Sequence, residues 1–73
     1  MPLPDGFVEV TDLAERQWLM AHMAVPESPE YNPVLGEAVT RYVWPDAEPE
    51  EWRYWEWYHY PNCKWIKRRL TPA

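Results

Sequence analysis

Between Trp52 and Leu70 the chain reads WRYWEWYHY, then PNCK, then WIKRRL, with aromatic, charged and aliphatic positions changing at nearly every residue. Aromatic residues favour extended backbone, and Pro61-Asn62 is a turn pair, because Pro presets φ and Asn tolerates the bend. The stretch predicts a β-hairpin. A turn with an even number of residues would put Trp55, Trp57, His59, Ile66 and Leu70 on one face with Arg53 and Arg68, as core. Tyr54, Glu56, Tyr58, Tyr60, Trp65, Lys67 and Arg69 would then form an amphipathic outer face, with Tyr60 opposite Trp65 and Glu56 across from Arg69.

Upstream, the period changes. Thr11-Asp12 marks a helix start, with Asp12 as cap and Glu15 three residues on. The helix is expected from Leu13 to about Ala24, where Pro26 forces extended backbone on its predecessor. Its apolar rows are Leu13, Met20 and Ala24; then Ala14, Trp18, Ala21 and Val25; then Leu19 and Met23. Only Glu15 and His22 keep a polar strip. Such a helix packs on the sheet and can also offer a face to a partner. PESPEYNP (residues 26–33) reads as a loop, EAVTRYVW (residues 37–44) as a strand ended by Pro45, and PDAEPEE as an acidic loop. Residues 1–10, with Pro2, Pro4 and Gly6, and residues 71–73 read as flexible tails. The expected architecture is a single α+β domain: one N-terminal helix packed on a three-stranded antiparallel sheet, with disordered termini.

Seventy-three residues allow one domain with a small core, which six Trp residues enlarge. Cys63 is the single cysteine, so an internal disulfide framework is excluded. The N-terminal residues lack a signal-peptide pattern, and no apolar run reaches membrane-spanning length, so a soluble monomer of the cytoplasm is expected. The net charge of −5 is unevenly distributed. Residues 1–51 carry eleven acids against Arg16 and Arg41, a balance of −9; residues 52–73 carry five bases against Glu56, a balance of +4. A basic patch on an acidic body can touch a polyanion without coating DNA indiscriminately.

The chemistry of catalysis has little footing here. There is no nucleophile elbow or phosphate loop, and His59, Cys63 and His22 are too few and too dispersed for a zinc site, so neither cofactor nor metal is expected. Binding has more. Aromatic residues interleaved with Arg and Lys suit a single-stranded nucleic-acid platform, on which rings stack on bases and cations hold phosphates. The same residue types dominate protein–protein hot spots. The candidate partner-binding residues are Tyr58, Trp65, Lys67, Arg68 and Arg69 on the hairpin, with Trp18 and Met20 on the helix. A third reading is an acidic mimic of DNA.

Taken whole, and above all in DLAERQWLMAHMAVPE (residues 12–27) and WRYWEWYHYPNCKWIKRRL (residues 52–70), the chain resembles small phage-encoded transcription regulators that bind the RNA polymerase of the bacterial host. The resemblance implies a non-enzymatic protein seated on core polymerase near the RNA exit channel. There it would inhibit sigma-dependent initiation, promote read-through of terminators, and lie within reach of nascent RNA. No shared motif carries contact residues across.

Overall fold

The computed structural model describes residues 3–23 and 28–70. The expected helix stop at Pro26 and the frayed end at 71–73 lie outside those residues. The helix, α1, spans Leu13–His22, with the Asp12 carboxylate accepting the Glu15 N–H at 2.9 Å. Its last turn closes when the Met23 N–H donates to the Leu19 carbonyl at 2.9 Å.

The α+β class holds, but the sheet has five antiparallel strands rather than three. They are β1 (Phe7–Glu9), β2 (Glu30–Asn32), β3 (Glu37–Tyr42), β4 (Trp55–His59) and β5 (Trp65–Arg69), ordered β1-β5-β4-β3-β2. Four of them form a meander, and β1 adds to the far edge beside β5.

The two additional strands come from segments expected to be irregular. At residues 1–10, a turn returns the Phe7 N–H to the Pro4 carbonyl, and Gly6 takes φ +88°, a conformation glycine adopts without steric cost. That reversal lays Phe7–Glu9 against β5, so this part of the expected tail belongs to the sheet. In the proline-rich segment, the Asn32 side-chain oxygen accepts from the N–H groups of Val34 and Leu35, and Gly36 closes the turn at φ +73°. The result is the β2–β3 hairpin. Conversely, Trp52, Arg53 and Tyr54 are not strand: they lie in a 3-10 turn, Glu50–Tyr54, that precedes β4.

The hairpin register also departs from expectation. His59 pairs with Trp65, Trp57 with Lys67, and Glu56 with Arg68, leaving the five residues 60–64 as the loop. Five is odd. Cys63 takes φ +69° to close it, and a shift of one residue turns every β5 side chain to the opposite face. Trp65, Lys67 and Arg69 therefore share a face with Trp55 and Trp57, while Ile66 and Arg68 lie with Glu56 and Tyr58.

Both faces are covered. On the helix side, Leu19 of α1 packs with Val10, Tyr42, Trp57 and Trp65, ringed by Trp18, Met23, Trp44, Trp52 and Trp55. On the other face Phe7, Val39, Tyr58, Tyr60 and Ile66 pack together, with Leu3 and Leu35 folded over them. Tyr58 and Tyr60, expected on the outer surface, are thus core. The helix is rotated relative to expectation too: Glu15 is buried against the sheet, while Leu13 and Met20 are 69% and 65% exposed.

Candidate functional site

Two buried carboxylates organise the charged residues. On the helix side, Glu15 accepts from Trp57 Nε1 at 2.9 Å and from Lys67 Nζ at 3.0 Å, tying α1 to both central strands. The Lys67 ammonium also lies 4.6 Å from the centre of the Trp55 ring. On the other side, Glu56 accepts from Arg41 Nε at 2.8 Å, Arg68 Nε at 3.0 Å and the Tyr58 hydroxyl at 2.8 Å. The Arg68 guanidinium sits 4.5 Å from the Phe7 ring centre.

These contacts set the protonation behaviour. Burial is the largest influence on Glu56 and pushes its pKa up, but the hydrogen bonds from Arg41, Tyr58 and Arg68 together outweigh it and hold the carboxyl below its ordinary value. Tyr58 is raised, first by burial and then by its bond to the Glu56 carboxylate. Tyr60 is raised by burial and by the charge of Glu37. The hydrogen bond to Glu56 raises Arg41.

The residues expected to form one aromatic and basic surface are therefore dispersed. Tyr58 and Trp65 are buried, so their ring faces are spent on packing. Lys67 is committed to Glu15 and Arg68 to Glu56. Arg69 is exposed, 5.9 Å from the Tyr54 ring centre and 5.7 Å from that of Trp55. Trp18 is half-buried among other indoles, and Met20 points outward with Leu13, two helical turns away on the same row. Ala14, Arg16, Gln17 and Ala21 complete that exposed flank.

A second feature was not singled out from sequence. Trp18 stacks on His22 at 4.0 Å between ring centres and stands edge-on to Trp44 at 5.0 Å and Trp52 at 4.9 Å. Beside this cluster a cleft of about 290 Å3 opens between α1 and the loop after β3, walled by Trp18, His22, Trp44, Pro45, Asp46 and Glu48. The available signal was the position of Trp18 and His22 four residues apart on one helix flank. Among the described residues, no group of three or more His, Cys, Asp or Glu is placed to hold a metal, and no helix is long and apolar enough to cross a membrane.

Compared with protein families, with curated proteins and with solved structures, the chain matches none. The site is read from its own geometry.

Proposed function

We propose that this chain is a non-enzymatic, phage-encoded regulator that binds bacterial RNA polymerase, inhibits sigma-dependent initiation and promotes terminator read-through. The resemblance carried by residues 12–27 and 52–70 gives the partner, with core polymerase near the RNA exit channel as the seat. The observation that carries a protein-binding role is the outward row of α1. Leu13 and Met20 leave large apolar side chains in solvent on a helix whose opposite side is fully engaged. An exposed apolar row with a flexible Met suits a protein groove. The runner-up, a single-stranded nucleic-acid platform, loses two of its ring faces with Tyr58 and Trp65 buried. Its remaining support is Arg69 over Tyr54 and Trp55.

Size-exclusion co-elution with core polymerase and promoter-dependent transcription test the proposal together. The native protein should co-elute and inhibit. Leu13→Glu combined with Met20→Glu should weaken co-elution at least about tenfold, as loss of apolar hot-spot contacts does, with circular dichroism unchanged. Failure of the native protein to bind either core or holoenzyme overturns the reading. Retained binding by the double variant moves the contact off this row.

A further inference from the structure

We infer that the cleft beside Trp18 and Trp44 is a receptor for an arginine side chain presented by a partner protein, a site separate from the outward row of α1 and independent of the polymerase reading. Its lining combines aromatic rings with carboxylates. Two half-buried indoles, Trp18 and Trp44, and the His22 ring line the cleft together with the exposed Asp46 and Glu48. Ring faces carry negative potential and attract cations, and a planar guanidinium both stacks on them and pairs with carboxylate.

The geometry is preorganised. The loop that carries Asp46 and Glu48 is fastened: Ala47 is buried, its N–H donates to the Trp44 carbonyl at 3.2 Å, and Arg53 Nε donates to the Ala47 carbonyl at 2.8 Å. His22 is fixed as well, since its Nδ1 donates to the Trp18 carbonyl at 2.8 Å and the ring lies within 15° of the indole plane. A receptor whose walls are already held loses little freedom on binding.

Charge favours this occupant. Arg53 offsets part of Glu48, at 3.2 Å, but residues 46–53 still contain Asp46, Glu48, Glu50 and Glu51 against that one cation, a balance of −3. Asp46 has no ion pair among the described residues. An acidic or phosphate-bearing ligand would be repelled. The volume of about 290 Å3 takes one side chain rather than a folded segment.

The test uses the whole chain and a capped Gly-Arg-Gly peptide, with the indole N–H resonances of the six Trp residues as reporters. The peptide should shift the Trp18 and Trp44 signals saturably. The same peptide with citrulline, which keeps the shape and removes the charge, should not. Asp46→Asn with Glu48→Gln, both on the surface and so without cost to the fold, should weaken binding about fivefold. Equal shifts from the citrulline peptide, no shift from the arginine peptide, or unchanged affinity in the double variant each overturn the inference. Tetramethylammonium binding more tightly than the arginine peptide would replace it with a quaternary-ammonium cage. None of these outcomes depends on whether polymerase binds.

Discussion

The two buried carboxylates occupy opposite faces of the same sheet and do different work. Glu56 joins neighbours: its partners Arg41 and Arg68 come from the strands on either side of β4, and their side chains remain 54% and 36% exposed. Glu15 joins elements 42 and 52 residues apart in sequence, and its partner Trp57 is wholly enclosed. An arginine that loses Glu56 can turn to water. The Trp57 N–H and the largely covered Lys67 ammonium cannot do so without opening the helix–sheet contact. A buried acid matters according to what its partners can do without it, and the number of its bonds is secondary.

The strongest way to break that comparison is Glu15→Ala, which should cost about 3–5 kcal/mol because it strands both a buried indole donor and a covered cation. Urea unfolding followed by Trp fluorescence measures it. Glu15→Gln keeps an acceptor for Trp57 and should recover part of the loss. If Glu15→Ala costs no more than the corresponding change at Glu56, the distinction fails.

Glu56→Gln should cost less, about 1–3 kcal/mol, since its arginines can rehydrate. Its pH signature is the sharper test. The folded-state pKa of Glu56 lies below the unfolded value, so its contribution is fully present above the ordinary carboxylate range of about 4.3 and is lost as pH falls through the depressed folded value. The native protein should therefore lose stability over that acidic window, and Glu56→Gln should lose less over the same range. Parallel unfolding midpoints for the two proteins across the window would remove Glu56 as the acid-sensitive group.

The smallest expected effect is at Arg69, the cation on the helix-side face of β5 that pairs with no carboxylate among the described residues. Arg69→Ala should change stability by no more than about 0.5 kcal/mol, read by thermal melting. A larger loss would show that stacking over Tyr54 and Trp55 binds this edge more firmly than exposed cation–π contacts do.

These contrasts explain what the sequence could disclose. The start of α1 was legible because a cap is local: Asp12 and the Glu15 N–H are three residues apart. The existence of the hairpin was legible from its aromatic run. Its register was not, because the parity of the turn rests on Cys63 entering the left-handed region, which neither Pro61 nor Asn62 announces. Strands β1 and β2 are three residues each, too short to show a period; β1 exists through pairing with the distant β5, and β2 through the tight turn that Asn32 and Gly36 close onto β3. The candidate site followed the same rule. Met20 is exposed, whereas Tyr58 and Trp65, expected together on one outer face, are divided by the odd turn between the two faces of the sheet and buried there. Lys67 is held by Glu15, and Arg68, expected on the core face, by Glu56. Glu15 passed for surface because a charge on a helix is usually hydrated; only its partners 42 and 52 residues away place it inside.

The brevity of β1 and β2 has a consequence for life at high concentration. The central strands, WEWYH and WIKRR, are rich in the residues that drive intermolecular sheet growth. Each is flanked on both sides by another strand, so neither offers a free row of backbone donors and acceptors to a second molecule. The outermost strands offer little: three residues apiece, with Glu9 on one and Glu30 on the other, bounded by Gly6 and Pro33. Short, charged borders of this kind disfavour edge-on stacking between copies. The aromatic content that builds so small a core is thereby kept from becoming a route to fibres.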